Sequence, residues 1–279
     1  MTEIGSEEGS VITESSEPGP AFDTSVPHIA RVYDYWLGGK DNFAADRKAG
    51  DWAREAYPQI ALGVRANRAF LARMVRYLAG EAGIRQFLDI GTGIPSANNT
   101  HQVAQSVAPQ ARIVYTDNDP VVLSHARALM ASGPQGSCDY IDADLRDTDR
   151  ILQQAAKTLD FGQPVAIMLI AVLHCIPDSD DPHAIVRRLL AAVPAGSYVA
   201  LSHPGRDLGG ANQGEMYRRL NELMPAQVRS RTFEEVSGFF DGTELVAPGV
   251  VKITEWRPES ELEAKSPGAM WGGAGLKTA

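Results

Sequence analysis

The chain has 279 residues, 44% of them apolar, which suits one large domain or two small ones with a real core and argues against disorder throughout. Its net charge of −9 disfavours nonspecific nucleic-acid binding, which needs basic surface to displace counterions from phosphate. Much of that charge is local, because residues 1–25 carry Glu3, Glu7, Glu8, Glu14, Glu17 and Asp23 with no Lys or Arg.

This first segment is rich in Glu, Ser, Gly and Pro and reads as a disordered acidic tail; it lacks the basic start and apolar stretch of a signal peptide. Order is expected from Pro27, with Ile29, Val32, Tyr33, Trp36 and Leu37 on one face of a helix that Gly38-Gly39 ends. The polar turn Lys40-Asp41-Asn42 leads into a helix over 44–56, closed by Pro58. A longer helix is expected over 62–79, where Ala66, Ala69, Phe70, Met74, Tyr77 and Leu78 fall at three- and four-residue steps. Residues 26–80 are thus expected to form a helical cap, and 81–279 a second unit.

In that unit the pattern alternates. Strands are expected at 87–90, 113–116, 139–141, 164–173 and 197–202, with helices at 98–107, 120–131 and 182–193 between them. The run from Pro164 is apolar throughout, as a central parallel strand covered on both faces requires. It is also the longest apolar run in the chain, far short of the ~20 residues that span a bilayer, so no membrane partner is expected. Cys138 and Cys175 form no metal spacing and no disulfide framework; a reducing, cytoplasmic setting follows, with no metal. The tail of the chain is less regular, with helices at 214–223 and 232–240, strands at 244–246 and 250–256, a polar loop at 258–267, and 270–277 as a last strand or a frayed end. Thr232 and Glu235 fit a capping box.

This βαβα rhythm implies a doubly wound parallel α/β sheet with its ligands at the carboxyl ends of the strands. Gly91, Gly93, Asp117, Asp144 and His174 then share one rim. The two glycines allow a tight turn beside a ligand, and Asp117, after the second strand, suits a ribose diol. A dinucleotide dehydrogenase requires a third glycine where Ser96 stands, which weakens the NAD reading. S-adenosylmethionine needs a tight turn at its methionine end, an acid for its ribose and a polar side chain near its adenine amino group.

Several stretches resemble the actinobacterial S-adenosylmethionine-dependent methyltransferase family formerly described as a domain of unknown function. They are Ala30 to Phe43, Arg65 to Leu71, Phe87 to Pro95, Val114 to Pro120, Ala143 to Asp147, Ala171 to His174 and Phe239 to Gly242. Leu37-Gly38-Gly39-Lys40-Asp41-Asn42 is the most specific of them. The resemblance implies a Rossmann-like, seven-stranded class I methyltransferase sheet with an N-terminal helical cap, and favours 270–277 as its last strand. It places S-adenosylmethionine on Gly91 and Gly93, with Asp117 on the ribose and Asp144 near the adenine; Asp89, Asn118 and Leu145 flank these and are taken with them. Tyr33 and Asn42 are candidates from a lid, and Arg65 and Arg68, three apart, either grip the cofactor carboxylate or form a solvated helix face. His174 is the candidate catalytic base, or else a hydrogen-bonded histidine at a buried strand end; His203 is a weaker candidate. The acceptor is expected to be a small molecule. The rivals are a non-catalytic sensor or interaction protein that keeps the fold, and an NAD-dependent oxidoreductase.

Overall fold

The computed structural model describes residues 23–129 and 135–279; most of the acidic segment, and the end of the helix expected to reach Ala131, lie outside them. Three helices open the described chain: α1 (Ile29–Leu37), α2 (Ala44–Ala56) and α3 (Ile60–Gly80). His28 precedes α1 in extended backbone, and Gly38 ends it at φ 87°, a left-handed turn open to glycine. The bounds of α2 fall where the turn residues and Pro58 put them. The indole N–H of Trp36 donates to the Gly50 carbonyl at 3.1 Å, and a Cβ on Gly50 would meet the Tyr35 ring at 2.6 Å. Glycine therefore lets α1 and α2 cross closely.

The sheet follows as β1 (Gln86–Ile90), β2 (Arg112–Asp117), β3 (Ser137–Asp142), β4 (Ala166–Ile170), β5 (Tyr198–Pro204), β6 (Glu244–Leu245), β7 (Val251–Lys252) and β8 (Met270–Leu276). Its order is β3-β2-β1-β4-β5-β8-β6, with β7 also on β8. The first five strands run parallel and β8 is antiparallel to β5. Among the described residues the sheet has eight strands where seven are expected, because β6 and β7 are two short pieces on one edge of β8.

Between the strands lie α4 (Thr100–Val107), α5 (Pro120–Leu129), α6 (Thr148–Ala155) and α7 (Pro182–Ala191). After β5 come α8 (Gly210–Leu223), α9 (Phe233–Ser237) and α10 (Glu261–Ala264). Helices cover both faces. One core joins Leu88, Val114, Ile167 and Val199 to Ile151, Leu189 and Phe239; the other joins Phe87, Ile113 and Met168 to Phe70, Met74, Leu78 and Val103. A third core, around Val32, Trp36, Ala53 and Leu220, holds α1 and α2 against α8. Among the described residues no helix is long and apolar enough to cross a membrane.

Four expectations need correction. The apolar run from Pro164 is not one long strand: β4 stops at Ile170, Ala171 turns at φ 53°, and Leu173–Cys175 form a short helical turn. Leu173 is apolar because that turn is buried, not because it is extended. The stretch 250–256 pairs only at Val251–Lys252, and its Trp256 is instead a core plug set edge-on to Phe70 and Tyr77, with ring centroids 5.7 Å apart in both pairs. Helix α6 lies where none was expected, and α10 interrupts the polar loop at 258–267, capped by Ser260 and tied through Glu263 to the buried Arg73.

Candidate functional site

In a sheet of this order the connections after β1 and β4 leave in opposite directions, which opens a crevice at their carboxyl ends. There the molecule has a cleft with about 1200 Å³ of empty space, its open mouth included. Its floor is the β1 turn, its walls are the ends of β2, β3 and β4, and its roof is α1 with part of α3.

The turn and the acid after β2 form one hydrogen-bonded unit. Gly91 and Thr92 donate their N–H groups to the Thr116 carbonyl at 2.8 and 3.2 Å, which wraps the turn onto β2. Gly91, at φ 74°, leaves no room for a Cβ, which would lie 2.3 Å from the Val172 side chain. Gly93, at φ 66°, faces open space instead, and its N–H donates to Asp117 Oδ2 at 2.7 Å. Asp117 Oδ1 accepts the Asp119 N–H at 3.0 Å. Burial holds the Asp117 carboxyl above its usual range, against the pull of these two donors. Each oxygen keeps a lone pair for a further donor.

Asp89, at the end of β1, lines the same floor; it is buried, accepts the Thr100 hydroxyl at 2.5 Å, and burial pushes its carboxyl up to about 6. Across the cleft, Arg146 grips Asp144 through Nε and Nη2 at 2.8 and 2.7 Å and holds its carboxyl below the usual range. The Asn118 amide also donates to Asp144, at 3.1 Å, and Leu145 lies beside them. From α3, Arg68 donates through Nη2 to the carbonyls of Ala97 and Asn98, 3.1 Å each, while its Nε is buried without a partner among the described residues. Tyr33 presents its ring to the cleft wall; its hydroxyl donates to the Val64 carbonyl at 3.1 Å and accepts from Asn67 at 3.0 Å.

His174 lines the cleft from the turn after β4. Burial first, and the nearby Arg231 charge second, push its pKa down to about 4. Its Nε2 lies 3.6 Å from Cys175 Sγ, and its Nδ1 is buried with no partner among the described residues. His203 is fully buried outside the lining, held by Arg231 Nη1 at 2.8 Å and by the Pro204 carbonyl at 3.0 Å.

Nine of the ten residues expected to touch a cofactor line this cleft; Asn42 does not. Its amide donates to Asp34 Oδ2 at 2.8 Å and to the Gly39 carbonyl at 3.0 Å, so it braces the turn behind Asp34, which does line the cleft. Arg65 is exposed, away from the lining. Asp119 caps α5 by accepting from Val121 at 2.8 Å, and also pairs with His28 at 2.8 Å and Arg31 at 3.2 Å, fastening α1 over the site. Asn67 was missed: a buried amide within the otherwise apolar stripe Val64, Phe70, Leu71 and Met74 of α3, it also accepts the Ser202 hydroxyl at 2.6 Å. One amide in an apolar stripe was the signal for it. Ala226, from the loop after α8, carried no signal. Among the described residues no group of three or more His, Cys, Asp or Glu is arranged to hold a metal ion.

The strand order, the antiparallel β8, the glycine turn bonded to an acid and the helical roof define the Rossmann-like fold of class I methyltransferases. The chain belongs to the S-adenosyl methyltransferase family, whose model matches residues 15–278. It is 44% identical to a DUF574 family protein from Streptomyces avermitilis, with a TM-score of 0.88 over 91% of this chain and 99% of that one. It is 42% identical to a candidate methyltransferase from Thermobifida fusca, with a TM-score of 0.86 over 95% of this chain and all of that one. An O-methyltransferase family protein from Burkholderia thailandensis, 13% identical with a TM-score of 0.51 over 85% of this chain and 60% of that one, shares the fold alone. A search of curated proteins finds no match. The chain is thus an enzyme, an S-adenosylmethionine-dependent methyltransferase, and these findings favour neither the sensor nor the oxidoreductase reading.

Proposed function

We propose that the protein methylates a small molecule, with the cofactor lying across the β1 turn and residues 26–80 acting as the cap over it. The observation that carries this reading is the unit formed by Gly93 and Asp117, in which a backbone turn open to a ligand and a buried carboxylate are held together at 2.7 Å. The residues also fit the cofactor's chemistry. Arg68 Nε, Thr116 Oγ1 and His174 Nδ1 belong to cleft-lining residues and are buried without partners among the described residues, so a polar ligand supplies them only with a small side-chain shift.

S-adenosylmethionine supplies, when bound, an electrophilic methyl on a sulfonium sulfur. In this reading Asp117 accepts the ribose hydroxyls, Gly91, Gly93 and Asp89 hold the methionine end, and Arg68 Nε meets its carboxylate. Asn118, Asp144 and Leu145 form the adenine wall. Tyr33 and Leu37, from the roof, exclude water and help hold donor and acceptor in line, an effect worth roughly 7–11 kcal/mol in well-oriented reactions.

His174 is the unprotonated imidazole at neutral pH, since burial favours that form. With its proton on Nε2, Nδ1 accepts a hydrogen bond from the attacking group and receives its proton as transfer proceeds. So weak a base orients a nucleophile more than it ionises it beforehand. The test is incubation of the enzyme with methyl-labelled S-adenosylmethionine and a cell extract separated by mass. Label in the small-molecule fraction is the expected result; label in protein or nucleic acid would overturn the choice of acceptor.

A further inference from the structure

The charged side chains of the cleft are unevenly spread. Arg68, Asp89, Asp117, Asp144 and Arg146 belong to α3 and to the β1, β2 and β3 ends, where the cofactor is placed. Part of the remaining wall, past β4 and under α1, is formed by six residues, Tyr33, Leu37, His174, Cys175, Ile176 and Ala226; His28, Asp34 and Asn67 line the cleft beside them. None of the six carries a charge at neutral pH. The Tyr33 hydroxyl is already paired with Val64 and Asn67, and burial pushes the Cys175 thiol up to about 12, so it stays neutral. Behind this wall Arg231 has its guanidinium committed to the Leu173 and Ile176 carbonyls, His203 and Asp178. Asp34, on the roof, has its carboxylate engaged by the Asn42 amide and the Asp41 N–H.

A charge brought onto these six residues would lose its water and meet no opposite charge among them, which costs far more than burying an apolar group there. Among the described residues, one polar atom of these six side chains is buried and unpartnered, His174 Nδ1. We propose that the acceptor is an uncharged, largely apolar molecule that enters between Tyr33 and Ile176 and presents one hydroxyl or N–H group to His174. This rests on the cofactor placement given above. It narrows the substrate class to neutral ring or chain alcohols, phenols and N–H heterocycles, and sets aside acids and phosphorylated compounds.

The test uses three probes of one shape, 2-naphthol, 2-naphthoate and the ammonium form of 2-(aminomethyl)naphthalene, titrated by calorimetry into enzyme saturated with S-adenosylhomocysteine. Naphthol should bind roughly tenfold or more tightly than either charged probe. Equal or tighter binding of a charged probe, or no binding of any, would overturn the proposal. Saturation with S-adenosylhomocysteine is measured first, so failure at that step would fall on the cofactor reading instead. Ala226 lies exposed at the rim, and Ala226→Lys adds the missing cation without opening the core. It should improve naphthoate binding several-fold while leaving S-adenosylhomocysteine affinity unchanged; no gain for naphthoate would contradict a charge-free wall as the source of selection.

Discussion

Replacing Asp117 by Asn keeps the shape of the side chain and removes its charge. In the folded protein its two oxygens each accept one backbone N–H, from Gly93 at 2.7 Å and from Asp119 at 3.0 Å. An amide can satisfy only one of these, so one buried N–H loses its partner at a cost of about 1–3 kcal/mol. The loss is partly offset because the buried charge, which burial itself opposes, is gone. The net change in stability should be about 1 kcal/mol, a few degrees in Tm for a chain of this size. Ligand binding should suffer more. A ribose diol loses a charged acceptor for one hydroxyl and meets an amide N–H instead, which weakens binding by roughly 1.5–3 kcal/mol, or about ten- to 150-fold. Calorimetric titration of S-adenosylhomocysteine into the wild type and the variant measures this directly. Unchanged affinity alongside a shifted melting point would make Asp117 a brace for the glycine turn and refute its ribose role.

Gly91→Ala should destabilise the fold by about 2–4 kcal/mol, because the new Cβ meets Val172 at 2.3 Å on a left-handed backbone. Gly93→Ala meets nothing and should cost the fold only about 1–2 kcal/mol while impairing cofactor binding; chemical denaturation with and without S-adenosylhomocysteine separates the two, and equal effects would contradict the cleft geometry. Asp119→Ala removes the α5 cap and the pairs to His28 and Arg31, so residues 28–37 should become more accessible to limited proteolysis; unaltered cleavage would remove Asp119 as the fastening of the roof. The pH dependence has two opposed parts. Asp89, raised to about 6 from about 4, contributes stability that is full below pH 4 and lost as pH rises through 6. His174, lowered to about 4 from about 6.5, contributes stability that is full above pH 6.5 and lost as pH falls through 4. Each amounts to roughly 3 kcal/mol, and they largely cancel. Asp89→Asn should therefore leave a urea midpoint that climbs steeply from pH 4 to 6.5, and a flat profile would show that these two groups do not dominate.

The parts of the site legible in the sequence are those whose chemistry is local. The β1 turn needs glycine for its backbone, and Asp117 ends a short apolar strand one βα unit later; both facts are written within a few residues. The bounds of α2 were legible for the same reason, since Gly38-Gly39 and Pro58 punctuate the chain around it. Asn42 lies outside the cleft lining because neighbours in a motif need not face the same way: the residue beside a lid can point into the lid's own turn. The length of β4 was overread because apolar residues report burial, and Leu173 is buried in a turn. Helix α6 escaped because only Ile151, Leu152 and Ala155 of its eight residues are both apolar and buried. Arg231, the buried cation behind His174, reaches over a distance of 58 residues to the Leu173 carbonyl, and no local pattern announces that.

The central claim, that the cofactor lies on the β1 turn with its reactive end toward His174, is tested most directly by a crystal structure of the S-adenosylhomocysteine complex. The account predicts both ribose hydroxyls within hydrogen-bond distance of Asp117, the carboxylate at Arg68 Nε, and the sulfur facing the space between Tyr33 and His174. A ribose held elsewhere, or His174 lying behind the adenine with no path to the sulfur, would contradict it.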